Sequence, residues 1–530
     1  MNKLFRGSTD WIQKHPRWTI TFSSLLWAFA YPPFPLGWLS FVVLAPAFLA
    51  TTVLRPRQAF GYWFAGGLAY NLVMYWWIYN VMKVGPVLAV GGGLVLLILF
   101  LSLFNGLIGL GFRLSLRHPL LFAVYPLAWA GLEVGRAAGE MSFPWNNFGY
   151  TLGHHLPLIQ SASWFGIYGL SAMLVVANLF LFRAWQSGSN RKIWILLWAA
   201  VPVALGVHGI MVLRQDSHDA PSINISLVQP SIPQTKKWSE EYFGEVMAKT
   251  FRTMDGVQGD LAPVKGSELV VLAETAVPDF LFQPARPGSF VHKTLIDSFA
   301  TRAIKLHASV LLGALDYVPD RKPWREFIFY NSAFLFRPTE GTIVRQYSKL
   351  RLVPCSEKLP FQNVFPLLNY VHLGEGDFTP GDGYRIWGDS LRYAPSICYE
   401  IIYPSFVREA RRAGAQFIVN ITNDGWFGRS NGPYEHANIA RFRAVETGLP
   451  IARCSNTGIS VFYDAWGRDL GHTELMDSTV LQRRLPVPHR DTFYACYGGF
   501  VDGFFLTALG IWICGVVRAY GRMPLRRRTS

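Results

Sequence analysis

The stretch RYAPSICYEIIYPSFVREARRAGAQFIVNIT, residues 392–422, contains two short apolar runs separated by a more polar segment. The runs Arg392–Glu400 and Gln416–Thr422 have the length and apolar content of buried strands. The segment between them, Ser405–Ala413, is typical of a helix. Strands that alternate with helices indicate an α/β sandwich.

The same alternation continues on both sides of this stretch. Further strand-like runs are Ile223–Gln229, Glu268–Glu274, Ala308–Leu315 and Asn331–Phe336. Helix-like stretches are Trp238–Met254, Phe290–Leu306 and a segment from Pro433 through Glu446. These elements predict one α/β domain over residues 216–490, about 270 residues, which is within the range for a single unit.

The chain as a whole has the composition of a membrane protein. Apolar residues make up 51% of the 530 residues and charged residues only 16%, whereas soluble proteins carry about 25% charged residues. Charges are costly in hydrocarbon, so the shortfall favours a bilayer. Apolar segments approaching the length of about 20 residues needed to cross the bilayer are Trp18–Tyr31, Leu36–Val53, Phe60–Met82, Pro86–Phe112, Leu120–Ala138, Leu158–Phe182, Ile193–Val212 and Phe500–Val517.

These segments predict a multi-span α-helical domain at residues 1–215, with about seven spans. A last span and a basic tail follow at residues 491–530. The first segment is short and ends at Pro32-Pro33, so the first two could instead form a re-entrant pair. The prolines favour a tight turn between two spans.

Lys and Arg are concentrated in alternate loops. They occur in both terminal tails and in the second, fourth and sixth loops, while the loops between these are nearly free of them. Because cytoplasmic loops are enriched in Lys and Arg, both termini are predicted to be cytoplasmic and the 216–490 domain to be extracytoplasmic.

The outward loop Glu140–His155 follows a span that contains Glu133 and Arg136. Ionisable residues in a span indicate function by default. Both residues lie near the span's end, however, so the favoured interpretation is that they snorkel to the interface or pair with each other.

Two other classes of function are disfavoured by composition. The net charge is +15, but topology explains the excess and no nucleic-acid-binding motif accompanies it. The five cysteines are an odd number, and neither C-x-x-C nor a Cys/His cluster with zinc spacing occurs. A nucleic-acid partner, a disulfide framework and a structural metal are therefore not expected.

Three residues near predicted strand ends are candidates for chemistry. The Cys398 thiol, presented at a sheet edge, would be a nucleophile; its alternative role is a small buried hydrophobe. Glu274 closes an apolar strand, where partial desolvation would raise its pKa toward that of a general base, or it caps the next turn. Lys349 would help ionise a thiol and stabilise an oxyanion, or it belongs to a solvated charged loop. The combination is more specific than any single member.

The surrounding motifs resemble those of a known superfamily. LAETAVPDF (residues 272–280), YSKLRLVPCSEKLPF (347–361) and SICYEIIYPSFVR (396–408) are similar to the glutamate, lysine and cysteine motifs of the nitrilase superfamily. Residues 229–238, 330–336 and 420–460 also match. Together with the apolar segments, they resemble the bacterial apolipoprotein N-acyltransferase family within it. The resemblance implies an α-β-β-α, nitrilase-like domain fused to membrane spans.

The resemblance also implies roles for individual residues. Cys398 would be the acylated nucleophile, Glu274 its base and Lys349 the oxyanion partner, with Glu357 positioning the lysine or the base. Further supporting or substrate-binding positions are Trp238, Asn331, Tyr399, Glu400 and Trp426. One departure is Cys355-Ser356, which stands where the family usually has an aromatic residue and a glycine before the second glutamate.

The activity that the resemblance implies is a two-step acyl transfer. A membrane phospholipid acylates the thiol, and the thioester then acylates the N-terminal amine of a diacylglyceryl lipoprotein. No metal or organic cofactor is required, because base, electrophile and nucleophile are all side chains. The expected protein is a monomer in the bacterial inner membrane with its catalytic domain on the periplasmic face. The alternatives are a membrane-tethered nitrilase-type amidohydrolase and a non-enzymatic transporter or receptor.

Overall fold

A computed structural model describes residues 2–83, 87–215, 219–256, 266–281, 291–322, 325–339, 343–362, 364–370 and 377–521. Its first part is helical. The helices are α1 (Asn2–Lys14), α2 (Pro16–Ala28), α3 (Leu44–Thr51), α4 (Pro56–Tyr75), α5 (Val87–Ser115), α6 (Pro119–Arg136), α7 (Leu156–Ile159), α8 (Ala162–Gln186) and α9 (Arg191–Leu213). Short 3-10 helices occur at Gly37–Phe41, Trp76–Lys83 and Phe148–His154.

Among the described residues, four helices are long and apolar enough to cross a membrane: α5, α8, α9 and the C-terminal α15 (Phe493–Gly521). They correspond to four of the eight predicted spans, although Pro86, the predicted start of one, lies outside the described residues.

The other four predicted spans are also helical but are shorter or less apolar. Helix α2 has 13 residues, which is about 20 Å at about 1.5 Å per residue against a core of about 30 Å. The second predicted span divides into a 3-10 helix and α3, and α4 and α6 are less apolar. These four spans stay predictions, and the basic tail after residue 521 lies outside the described residues.

The second part contains two β-sheets. The strands are β1 (Ser222–Gln229), β2 (Leu269–Leu272), β3 (Val277–Phe280), β4 (Ser309–Lys322), β5 (Arg325–Phe336), β6 (Ile343–Ser348), β7 (Tyr393–Ile397), β8 (Phe417–Thr422), β9 (Ile451–Ser455), β10 (Val461–Tyr463), β11 (Asp469–His472) and β12 (Thr479–Pro486). One sheet has the order β12-β1-β2-β4-β5-β6, with β3 beside β4, and the other the order β11-β10-β9-β8-β7. All six predicted strands are present.

The helices among the described residues of this part are α10 (Gln234–Lys237), α11 (Phe243–Met254), α12 (Val291–Leu306), α13 (Pro404–Arg412) and α14 (Gly432–Thr447). The predicted helix Trp238–Met254 begins only at Phe243, because the residues before it form a separate 3-10 turn, Glu240–Tyr242.

Alternating side chains of the first sheet divide between two apolar cores. Val270 and Leu272 of β2 pack with Phe299 of α12 in one core, whereas Val271 belongs to a second core that includes Ile397 and Cys454 of the other sheet. Period-two alternation places helices on one face and a second sheet on the other. Because α13 and α14 lie on the second sheet's side, the result is the implied α-β-β-α sandwich.

Glu133 and Arg136, which were expected to snorkel or to pair with each other, each form hydrogen bonds to other partners. Glu133 is buried and accepts hydrogen bonds from Trp129 Nε1 (3.0 Å) and Phe148 N (2.9 Å). Arg136 instead donates to Asn147 Oδ1 at 2.7 Å. Because a buried polar group needs partners, these two side chains anchor the loop that follows α6.

Candidate active site

Glu274, Lys349 and Cys398 each come directly or shortly after a strand. Glu274 follows β2, Lys349 follows β6 and Cys398 follows β7. Strand β6 is antiparallel to β5, and β5 is antiparallel to β4, which runs parallel to β2. The carboxyl ends of β2 and β6 therefore meet at one edge of the first sheet, and the end of β7 approaches them from the second.

The Lys349 ammonium lies between two carboxylates. Its Nζ is 2.7 Å from Glu357 Oε1 and 3.5 Å from Glu274 Oε1. All three residues are buried, with Lys349 only 1% exposed. Burial would lower the pKa of Lys349, but the charges of Glu357 and Glu274 outweigh it and raise that pKa above its usual range. The lysine is therefore a permanent cation in this site and not a base.

Both oxygens of Glu274 are held in place. Oε1 accepts a hydrogen bond from Asn331 Nδ2 at 2.7 Å, and Oε2 accepts one from the backbone N of Asn423 at 2.9 Å. Lys237 Nζ donates to the Glu274 carbonyl at 3.1 Å. Two separate chain segments thus hold this carboxylate, and a third holds the backbone of the same residue.

Cys398 begins a 3-10 helix, Cys398–Ile402, with a φ of +50°. It is partly exposed. Burial of the sulfur raises the thiol pKa well above its usual range, and the negative charge of Glu274 raises it further, while Lys349 opposes them. Both charges therefore lie near the sulfur, and the thiol is protonated at neutral pH.

Glu400 links the Cys398 turn to the segment that carries Lys349. Its carboxylate accepts hydrogen bonds from Ile397 N (2.7 Å), Leu350 N (2.6 Å) and Tyr347 OH (2.7 Å). Burial raises the Glu400 pKa to about 7, although these donors act against the rise. Glu400 therefore holds the Cys398 turn against the segment that carries Lys349.

The aromatic candidates differ in their exposure. Trp238 and Trp426 stack with ring centroids 6.3 Å apart, and Trp238 is 39% exposed. Tyr399 is buried instead, and its hydroxyl donates to the carbonyl of Ser142, in the loop after α6, at 3.0 Å. The two tryptophans therefore contribute to an accessible surface, whereas Tyr399 contacts the membrane part.

No group of three His, Cys, Asp or Glu side chains within the described ranges is arranged to hold a metal ion.

Comparisons with known proteins identify the family. Residues 23–180 match the apolipoprotein N-acyltransferase N-terminal domain, and residues 224–488 match the carbon-nitrogen hydrolase family. The chain is 33% identical to an apolipoprotein N-acyltransferase from Geobacter metallireducens, over 90% of each chain. The chain belongs to the apolipoprotein N-acyltransferase family. A relative from Chlorobaculum tepidum with the same name is 29% identical, over 96% of this chain and 98% of the relative.

Solved structures of the nitrilase superfamily are also similar. Nit3 from Saccharomyces cerevisiae is 17% identical, covers 58% of this chain and 97% of its own, and has a TM-score of 0.36.

The family motifs leave a buried polar group unassigned. His436, Asp424 and Arg453 lie next to the Cys398 turn and are almost completely buried, but the sequence analysis gave none of them a role. Ser142, which contacts Tyr399, was also missed. The sequence signal that could have revealed this group is the presence of polar residues inside the apolar strand β9 and the buried helix α14.

Proposed function

We propose that this protein transfers a fatty acyl chain from a membrane phospholipid, through a Cys398 thioester, to the N-terminal amine of diacylglyceryl-cysteine in lipoproteins. The observation that carries the proposal is that a thiol at a strand end comes together with a carboxylate held by Asn331 and Asn423 and with the Lys349 ammonium, which lies between Glu274 and Glu357. A neutral thiol needs a base at the moment of attack, and a covalent intermediate divides the exchange into two easier steps.

In the first step Glu274 takes the proton of the Cys398 thiol as the sulfur attacks the ester carbonyl carbon. The charge that develops on the carbonyl oxygen is stabilised by the Lys349 ammonium, which needs no reorganisation because Glu357 already holds it at 2.7 Å. When the C–O bond breaks, Glu274 returns the proton to the leaving alkoxide. The products are the thioester and a lysophospholipid.

In the second step the lipoprotein amine attacks the thioester carbonyl. Glu274 accepts a proton from the amine, Lys349 again stabilises the oxyanion, and the C–S bond breaks. Glu274 then protonates the departing thiolate. The products are an amide and the free Cys398 thiol, so the cycle closes without a metal or organic cofactor.

The supporting residues have distinct parts in this scheme. Asn331 and Glu357 orient Glu274 and Lys349, while Glu400 holds the nucleophile's turn against the lysine segment. Tyr399 links that turn to the membrane loop. The partly exposed Trp238 and its stacking partner Trp426 are proposed to contact the acyl chains.

Two lipid substrates require a site at the height of the bilayer. We therefore propose membrane domains at residues 1–215 and 491–530, a catalytic domain at 216–490, and a monomer in the bacterial inner membrane. The catalytic domain would lie on the periplasmic side, with both termini cytoplasmic. The excess of Lys and Arg in alternate loops supports this orientation.

Intact mass spectrometry after incubation with phospholipid tests the proposal. Wild type is expected to gain the mass of one acyl chain, labile to neutral hydroxylamine and discharged by a lipopeptide amine. Cys398→Ser should gain no hydroxylamine-labile mass, whereas the matched control Cys355→Ser should behave as wild type. Release of the acyl chain to water with no transfer to the amine would instead establish an amidohydrolase-like enzyme, and no adduct on wild type would overturn the proposal.

A further inference from the structure

A histidine outside the proposed triad contacts the backbone of the nucleophile. His436, on α14, is completely buried. Its Nε2 lies 3.3 Å from the carbonyl oxygen of Cys398, and its Nδ1 lies 3.0 Å from Asp424 Oδ1. The ring faces the Cys398 carbonyl, so the arrangement differs from a Cys-His-Asp triad, in which the ring accepts the thiol proton.

Asp424 is itself rigidly held. Arg453 Nη2 is 2.6 Å from Asp424 Oδ2, and Thr422 Oγ1 donates to Asp424 Oδ1 at 3.0 Å. Burial would raise the Asp424 pKa, but the charge of Arg453 opposes it most strongly, and that pKa is lowered to about 2. Asp424, which lies beside His436, is therefore a fixed carboxylate.

The hydrogen-bond partners define the ring's proton. A backbone carbonyl only accepts, so the contact with Cys398 requires a proton on His436 Nε2. Arg453 Nη2 lies 3.1 Å from Nδ1 and can donate to it. Burial and the Arg453 charge both lower the His436 pKa. A ring with its proton on Nε2 donates to the Cys398 carbonyl and accepts from Arg453 at Nδ1, while Asp424 receives its hydrogen bonds from Thr422 Oγ1 and Arg453 Nη2.

Aromatic rings hold the imidazole from the other side. The His436 ring centroid is 5.1 Å from that of Trp145, in the loop after α6, and 6.1 Å from that of Phe427. Packed rings in a dense interior leave little freedom for a side chain to turn. The histidine is therefore fixed both by hydrogen bonds and by packing.

The backbone at Cys398 needs such support. Its φ of +50° lies in the left-handed region, which costs a non-glycine residue on the order of 1 kcal/mol or more and persists only where the surroundings enforce it. Glu400 Oε2 accepts from Ile397 N at 2.7 Å on one side of this residue. The His436 contact with the Cys398 carbonyl is on the other side.

We infer that His436 is a positioning residue for the nucleophile: its Nε2–H holds the Cys398 carbonyl and thereby directs the thiol toward Glu274 and Lys349. The inference rests on the proposed acylation of Cys398. The histidine contacts the nucleophile through its backbone carbonyl, so its replacement should slow acylation without weakening donor binding.

Two substitutions separate this role from a purely structural one. In His436→Gln the side-chain amide N reaches about the place of Nε2 and keeps the bond to the Cys398 carbonyl. In His436→Asn the shorter amide reaches only the place of Nδ1 and keeps the contact with Asp424. A structural role through Asp424 predicts that Asn is the better replacement, whereas the positioning role predicts Gln.

The rate of acyl-enzyme formation is measured with mixed micelles of phosphatidylethanolamine and a nonionic detergent. His436→Gln is expected to stay within about ten-fold of wild type and His436→Asn to fall about 100-fold in kcat, the scale of a misplacement of about 1 Å, with KM unchanged. Thermal unfolding of both variants confirms that they fold. Equal rates for the two variants, or a faster Asn variant, would overturn the inference.

A second readout needs no lipid. Alkylation of Cys398 by iodoacetamide is followed by peptide mass spectrometry. We expect the alkylation rate of His436→Asn to differ from that of wild type by more than the rate of His436→Gln does. If wild type formed no acyl-enzyme, the proposed function would fail. A larger change of the alkylation rate in His436→Asn than in His436→Gln would still support the positioning role of His436. Equal alkylation rates in all three proteins would refute positioning even where wild type is acylated.

Discussion

Replacement of Lys349 by methionine should unfold the catalytic domain at a lower temperature as well as abolish acyl transfer. Methionine preserves most of the volume of the lysine stem, so no large cavity forms. What is lost is the charge that lies 2.7 Å from Glu357 and 3.5 Å from Glu274. Two buried carboxylates would then face each other without a counter-ion.

The magnitude follows from these distances. At an effective dielectric constant of about 20, attractions across them are about 6 and 5 kcal/mol. Desolvation of the ions offsets much of this sum, and breaking a buried pair by removing one partner costs about 3–5 kcal/mol. For a domain of this size each kcal/mol lowers Tm by about 2–4 °C, so a decrease of about 6–20 °C is expected.

The assay is thermal unfolding in detergent, followed by tryptophan fluorescence at one fixed scan rate, for four proteins: wild type, Lys349→Met, Glu357→Gln and the double variant. Removal of the Glu357 charge relieves part of the repulsion, so the double variant should be more stable than Lys349→Met alone. A Tm for Lys349→Met within about 2 °C of wild type, under about 1 kcal/mol, would refute this reasoning.

Three further predictions concern titration and the thiol. Glu274→Gln should slow acylation of Cys398 by about 10²-fold or more, yet accelerate its alkylation by iodoacetamide, because the carboxylate that raises the thiol pKa is gone. In wild type, alkylation of Cys398 should increase with pH without a plateau up to at least about pH 8.5, the usual thiol pKa. Burial raises the Glu435 pKa to about 8, whereas the unfolded value is about 4.3. The folded state therefore holds a proton that the unfolded chain releases, so wild type should lose stability between about pH 5 and 8 and Glu435→Gln should lose less.

Each of these predictions has a contrary result. Slower alkylation in Glu274→Gln would mean that the carboxylate promotes thiolate formation in the resting enzyme. A plateau in alkylation below about pH 7 would mean a lowered thiol pKa. For Glu435, a Tm difference between pH 5.5 and 8.5 that is the same in wild type and Glu435→Gln would assign the pH dependence to other groups.

Strands with continuous apolar runs could be predicted from the sequence, whereas strands with buried charges could not. Strand β8, Phe417–Thr422, is recognisable because all of its residues except Asn420 are apolar or β-branched. Strand β9 was missed because it contains Arg453, which is completely buried and paired with Asp424. The hydropathy of the sequence alone predicts that such an arginine is exposed at the surface.

Helices were subject to a similar limit. Helix α14 is buried along almost its whole length, including His436 and Arg443, so no polar face distinguishes its functional side chains. In the membrane part, predicted spans differ from the observed helices where prolines or 3-10 turns shorten them, as at Pro32-Pro33 after α2. Length and apolar content alone do not determine where a helix stops.

Glu274, Lys349 and Cys398 could be proposed from the sequence because each family motif places its candidate residue at or near a strand end. The bonds that join them were not, since their partners are remote in sequence. Tyr399 and Ser142 lie 257 positions apart, and no local periodicity links them. Glu274 likewise depends on Asn423, 149 positions away.

These remote contacts bear on why the catalytic domain is fused to membrane helices. The Ser142 carbonyl accepts hydrogen bonds from Tyr399 OH at 3.0 Å and Tyr403 OH at 3.3 Å, so it holds the turn that begins at Cys398. The same loop is anchored at Asn147 by Arg136 at the end of α6. A hydrogen-bonded path therefore runs from a helix of the membrane part to the residue beside the nucleophile. A catalytic domain cut from its helices would leave both tyrosine hydroxyls without this partner, and for that reason the helices are part of the site's support and not only its anchor.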